Sequence, residues 1–295
     1  MGLLSLARPG TPARPWTSAR ILGNALLALW IVFGLATAYF LINASGMAFL
    51  GRYGQKLLDG FVVTIQLVVL SLVIGAALSI PVAFGRMSKN PVIGAIAFGY
   101  SYFFRGTPLI AQAFLFYYGA GSFSAELRSI GAWWIFRDAF TCAVFTFALN
   151  TSAYQAEILR GAIRSVPKGQ LEGARALGLP RAVIFLRVIL PQAFIIALRP
   201  YGNEIILMVK GSAIASIITV YDLMGETRRA FSRSFDFQAY MWAALLYLSI
   251  VETVSRIWTV LERRLTRHLN RSTQSAKPSA TDQEAAAGRP DATVD

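Results

Sequence analysis

One cysteine, Cys142, and one histidine, His268, are all the soft-ligand chemistry this 295-residue chain carries. That scarcity excludes a disulfide framework, a Cys/His metal site and a His-dependent catalytic triad in the apolar part of the chain. A nucleotide-cradling loop is missing too: Gly-x4-Gly-Lys-Ser/Thr does not occur, and Lys210-Gly211-Ser212 has the letters in the wrong order. Charge is equally thin, at 15% Asp, Glu, Lys and Arg, where soluble domains carry roughly 25%. What is abundant is apolarity. Hydrophobic residues make up 55% and mean hydropathy is +0.52, so a bilayer is the solvent these numbers require. The net charge of +13 therefore does not point to a soluble nucleic-acid binder, and nucleic acid is not an expected partner.

A membrane-crossing helix needs roughly 20 mainly apolar residues. Six stretches qualify, at about 21–42, 60–85, 91–118, 139–159, 192–220 and 239–260, and predict an all-α, polytopic membrane bundle of about six transmembrane helices. The first is too long for the core of a secretory signal, which runs to 7–15 residues, and is taken as a retained span. Lys and Arg collect in the segments before the first span and after the second, fourth and sixth. By the positive-inside rule these face the cytoplasm, together with both termini. The expected layout is a cytoplasmic tail over 1–20, a membrane domain over 21–265 and a disordered cytoplasmic tail over 266–295, whose polar composition lacks apolar periodicity.

The segment between the fourth and fifth spans is too organised to be a connector. Over 168–177 the sequence predicts a short helix, about 15 Å long. Pro167 starts it, Leu171, Ala174 and Leu177 recur at i, i+3 and i+6, and Gly178 ends it in the left-handed conformation. Pro180 opens a second helix, which Pro191 is expected to end. With small residues Gly173 and Ala174 at its middle, the first helix fits two roles: a knob for another protein's groove, or an interfacial helix lying on lipid headgroups through Arg175 and Arg181.

Glu172-Gly173-Ala174, then Gly178, then Val188-Ile189-Leu190-Pro191 resemble the EAA loop of ABC-transporter permeases, with Gly173 in place of the usual first Ala and Val188 in place of Ile. Around it, Phe104-Arg105-Gly106-Thr107-Pro108-Leu109, Ala153-Tyr154-Gln155-Ala156-Glu157-Ile158, Arg160-Gly161-Ala162-Ile163 and Lys168-Gly169-Gln170 resemble the polar amino-acid branch of that family. The resemblance spans about 60–264. It implies the ABC importer permease fold in the inner membrane, and a coupling loop at about 160–191 in which Gly169, Leu171, Glu172, Gly173, Ala174, Gly178 and Pro191 engage an ATPase. It further implies separate ATPase subunits that use ATP and Mg, a second permease, identical or homologous, and an extracytoplasmic amino-acid-binding protein. The chain itself is then no enzyme and binds no cofactor or metal. The stretches 200–208 and 149–154 look more like permeases for histidine, arginine, lysine, ornithine and opines than those for acidic amino acids. The competing reading is an ion-coupled secondary amino-acid transporter, which should show inverted repeats; none is visible.

Charges within spans cost about 2.5–3.5 kcal/mol near the bilayer centre on insertion scales, so each calls for a partner or a function. The fifth span carries Arg199, Asn203, Glu204 and Lys210. At 100° per residue the first two and Lys210 fall within about 40° of one another, while Glu204 points about 100° away from Asn203. Two readings of Glu204 stand: with Asn150, Tyr154 and Asn203 it lines a path for a polar amino acid, or it pairs with Arg199, Lys210 or Arg105 to hold helices together. A break is expected at Arg105-Gly106-Thr107-Pro108, serving gating or packing. Glu157 is expected to link span to loop, and Glu252 with Arg256 has the i, i+4 spacing of a helical ion pair.

Overall fold

The computed structural model describes residues 17–275. Every regular element among them is helical: α1 (Ser18–Ile42), α2 (Ala44–Arg86), α3 (Pro91–Gly106), α4 (Leu109–Phe114), α5 (Ser124–Ser129), α6 (Trp133–Arg137), α7 (Ala139–Arg164), α8 (Lys168–Ala176), α9 (Arg181–Val183), α10 (Leu190–Gly211), α11 (Leu223–Ser234) and α12 (Gln238–Ser275). π turns follow α4 at Leu115–Gly119 and join α9 to α10 at Ile184–Ile189, and a 3₁₀ segment, Ser212–Ile218, continues α10. The chain divides into two compact units, Met1–Gly54 and Gln55–Asp295. In the first, α1 ends at Asn43, whose side chain accepts from the Gly46 amide at 2.9 Å and starts the next helix.

Four helical runs are long and apolar enough to cross a bilayer: Ser18–Ile42, Ser45–Arg86, Arg181–Ile218 and Gln238–Thr266. They contain the first, second and sixth expected spans and all but the last two residues of the fifth. The other two fall short for visible reasons. The third breaks at Thr107, which is extended (φ −107°, ψ 146°) ahead of Pro108, the N-cap of α4. That leaves α3 with 16 residues, about 24 Å at 1.5 Å per residue against a core of about 30 Å. The fourth is α7, long enough at 26 residues but polar. It buries Thr146, Asn150, Thr151, Ser152 and Gln155, because it is the central strut, packed against α3, α4, α6 and α10.

Two boundaries differ from expectation. Pro191 does not end a helix. It sits in the first turn of α10, directly after the π turn, and the chain stays helical through it. A π turn widens the helix where the proline ring would otherwise clash with the preceding carbonyls and where an amide is missing. At the other end α12 continues to Ser275, so 266–275, the start of the expected tail, is helical. The remainder of that tail and the first 16 residues lie outside the described residues.

Beyond α10 the chain turns at Thr219, left-handed at φ +67°, where Tyr117 and Thr219 hydroxyls lie 3.3 Å apart. Asp222 then caps α11. It is fully buried, accepts from the Gly225 amide at 2.9 Å and from the Tyr247 hydroxyl at 3.3 Å. Burial outweighs these donors and pushes its carboxyl up to about 6 from the ordinary 3.8. The folded state thus holds a proton that the unfolded chain has released, and its contribution to stability is full below the unfolded value and lost as pH rises through about 6. Asp222→Asn, which keeps a capping oxygen, is expected to remove that part of the pH dependence. Thermal melts of the detergent-solubilised protein between pH 4 and 7.5 check this: wild type loses up to about 1.4 kcal/mol per pH unit from this group, and the variant's curve is flatter.

Candidate functional site: an acid-lined cavity and a docking helix

The short helix α8 is held by the ends of the two helices it joins. Ala162 and Val166 of the α7 end and Ala193 and Ala197 of α10 form a buried apolar cluster, and Leu171 packs against it with Ile158, Ile163, Ile189 and Tyr201. Gln192 of α10 donates to Gln170 and, at 2.8 Å, to the Val188 carbonyl. α8 starts after Pro167 as expected. Gly178 is left-handed at φ +71°, with its amide on Arg175 and the Leu179 amide on Ala174, the paired bonds of a Schellman end that glycine accommodates without strain.

Leu171 and Ala174 face inward, but Leu177 does not complete the stripe; it is 79% exposed. The reason is geometric: at the C-cap it has already left the apolar cluster. Gly169, Glu172 and Gly173 are on the exposed side, a Cβ at Gly169 or Gly173 would meet nothing within 4 Å, and Glu172 forms no ion pair or side-chain hydrogen bond among the described residues. Of the two small residues expected at the contact surface, Gly173 is open and Ala174, 7% exposed, is turned inward.

Deeper in the bundle, Asn150, Tyr154 and Glu204 line one cavity of about 240 Å³ with Leu109, Leu207, Met208 and Gly211. α7 presents Asn150 and Tyr154 one turn apart, and α10 presents Glu204, 6% exposed, which accepts from the Thr151 hydroxyl at 2.7 Å. Among the described residues no cation lies within ion-pair distance of Glu204. None of the expected alternative partners forms an ion pair with it, although Arg105 is near enough for its charge to act on Glu204. Arg199 pairs with Glu262 of α12 at 3.0 Å, Lys210 is exposed, and the Arg105 guanidinium lies over the Tyr154 ring at 5.3 Å. Asn203 is exposed, one turn before Leu207, and is not among the cavity's lining residues.

Three uncharged residues, Gln112, Thr151 and Gln155, complete this centre and were given no role from the sequence. Gln112 of α4, 1% exposed, donates to the Phe104 carbonyl at 3.0 Å and to the Thr107 carbonyl and hydroxyl at 3.1 and 2.7 Å. Its own carbonyl accepts from Asn150 at 3.0 Å, so it closes the break before Pro108 with groups that the broken helix leaves open. Gln155 donates to Thr151 at 3.1 Å and to the Leu72 carbonyl at 3.3 Å, extending the chain that ends on Glu204. Gly75 of α2 leaves room for it: a Cβ there would stand 2.4 Å from the Thr151 methyl. Gln112→Leu is expected to strand these acceptors at about 1–3 kcal/mol, read as a lowered melting temperature of the solubilised protein; an unchanged melt would show that Gln112 does not hold the break.

Glu157 sits two turns below Asn150 on α7. It holds Arg86 at 2.8 Å and Arg160 at 2.6 Å, joining the end of α2 to the end of α7. The pair Glu252–Arg256 forms at 2.5 Å on α12.

The comparisons with known proteins bear on the chain that carries α8 and this cavity. Residues 75–267 match the family described as binding-protein-dependent transport system inner membrane component. The chain belongs to this family. The permease is 39% identical over 228 residues to the nopaline transport system permease NocM of Agrobacterium fabrum, covering 77% of this chain and 95% of that one. It is 38% identical over 227 residues to the histidine/lysine/arginine/ornithine transport system permease HisM of Escherichia coli, covering 75% and 91%. A crystal structure of an amino acid ABC transporter with histidines superposes with a TM-score of 0.66 at 34% identity, over 76% of this chain and 99% of that one. The inward-facing methionine ABC transporter MetNI, at 17% identity and a TM-score of 0.57, shares the fold. The permease is thus a multi-pass membrane subunit of amino-acid ABC importers, and the family gives no support to the ion-coupled alternative.

Proposed function

We propose that the permease carries basic amino acids or opines, in the class of histidine, arginine, lysine and ornithine, into the cytoplasm on ATP hydrolysis by a separate subunit. The observation that carries this is Glu204: a buried acid without a cation at ion-pair distance, lining a cavity with Asn150 and Tyr154. Such an acid is what a cationic side chain can satisfy, and amide and phenol groups can hold the polar remainder. Nopaline and the histidine/lysine/arginine/ornithine set are what two relatives are named for, which supports the same class. Asn203, exposed and outside the cavity lining, is assigned to the path only where a second permease, identical or homologous, closes around it.

The remaining assignments follow the same logic. Glu172, Gly169, Gly173 and the exposed side of α8 dock into the ATPase, where ATP and Mg act, and Leu171, Ala174, Gly178 and Pro191 hold α8 in place. Both termini and the basic segment 160–187 face the cytoplasm. An extracytoplasmic binding protein delivers the substrate on the other side. Arg105 and Pro108 mark the movable break, while Glu157, Arg199 and Lys210 support the frame. The test is uptake by proteoliposomes holding permease, ATPase and binding protein: labelled arginine or lysine accumulates with ATP, and labelled glutamate competes poorly. Preferential uptake of glutamate would overturn the substrate assignment.

A further inference from the structure

A second pocket of about 240 Å³, open along the exposed Phe98 and Tyr102, is lined by these two with Arg86, Ser101, Arg105, Gly106 and Glu157. On α3, Phe98, Ser101, Tyr102 and Arg105 follow the i, i+3, i+4, i+7 spacing of one helical face. On α7, Asn150, Tyr154 and Glu157 form a matching stripe that leads from the Glu204 cavity, past Tyr154, to this one. Tyr154 belongs to the first cavity and Arg105 to the second, and the two stack at 5.3 Å, with the Tyr154 hydroxyl on the Arg105 carbonyl at 3.4 Å.

The two chambers are opposite in charge. Glu204 is the acid of the first. In the second, Glu157 is already matched by Arg86 and Arg160, and Arg86 also covers the Phe98 ring at 4.7 Å. The Arg105 guanidinium has no ion pair or hydrogen bond among the described residues, and its charge acts on Glu204 across the Tyr154 ring without closing an ion pair. Ser101 lies beside it in the lining, 4% exposed, with a hydroxyl that has no partner, a cost unless a ligand or water completes it. A guanidinium and a hydroxyl are together the donors a carboxylate takes.

We propose that this second cavity is a carboxylate-binding station on the substrate's route, in which Arg105 and Ser101 receive the α-carboxylate of an amino acid passing from the Glu204 cavity. The inference rests on the substrate path proposed above and adds a site to it. The Arg105–Tyr154 stack is then the partition between a chamber that favours the cationic end of the substrate and one that favours the anionic end.

Thiol labelling tests it, because the native Cys142 is fully buried and Gly106 has open space for a side chain. Gly106→Cys places a reporter in the second cavity, and Leu207→Cys, at an exposed position, places one in the first. The intact permease–ATPase complex in detergent is treated with a small neutral maleimide, with L-arginine or L-argininamide present. Arginine at ten times its half-saturating concentration should slow labelling at Gly106→Cys about tenfold, argininamide should not, and Arg105→Gln added to Gly106→Cys should abolish the protection. Protection at Leu207→Cys without protection at Gly106→Cys overturns the second station and leaves the first. Equal protection of Gly106→Cys by the amide overturns the carboxylate assignment. Protection at neither position overturns the second station together with the path on which it rests.

Discussion

Glu172→Lys is expected to abolish ATP-driven uptake while the chain still inserts in normal amount. Glu172 lies on the exposed side of α8 with no partner among the described residues of its own chain, so its removal costs the permease fold little. In the docked complex the reversed charge faces whatever the ATPase presents to an acid. Like-charge juxtaposition at an interface costs several kcal/mol, enough to weaken assembly by about a hundredfold. ATPase recovered with affinity-purified permease should fall accordingly, and Gly173→Trp, which fills the open approach, should act in the same direction. Normal ATPase recovery with normal uptake for Glu172→Lys would contradict the docking role and favour an α8 that rests on lipid headgroups.

Glu204→Gln carries the second large effect. The glutamine carbonyl can still accept from Thr151, which now bonds Glu204 at 2.7 Å, so the α7–α10 contact survives and only the charge is lost. A desolvated charge-assisted bond is roughly twice as strong as a neutral one. Uptake of labelled arginine or lysine should therefore fall at least about tenfold, with neutral amino acids less affected, and each tenfold corresponds to about 1.4 kcal/mol. A well-inserted Glu204→Gln permease with unaltered affinity and selectivity would make Glu204 a packing residue.

Local grammar was readable from the chain where one residue decides the backbone. Pro167 and Gly178 bound α8, and Pro108 breaks the third apolar stretch. Of the residues expected together on a path, Asn150, Tyr154 and Glu204 line one cavity and Asn203 does not. What escaped was decided by which helices meet. Gln112, Thr151 and Gln155 are uncharged residues in apolar helices, and nothing in their spacing says that one closes a helix break and the others lead to Glu204. The same holds for Arg199, whose partner Glu262 lies 63 residues away. Pro191 misled because its usual effect is absorbed by the π turn before it, a feature with no sequence signature. α7 falls short of a span's hydropathy because a helix buried among others exchanges apolar contacts for polar ones.

In the function proposed above this chain is the path and another polypeptide is the motor. It is tested most directly by arginine uptake into proteoliposomes holding permease, ATPase and binding protein, with either ATP or an ion gradient as the energy source. Accumulation with ATP that is lost in Glu172→Lys is expected, and none with a proton or sodium gradient alone. Gradient-driven accumulation without ATP would contradict the claim.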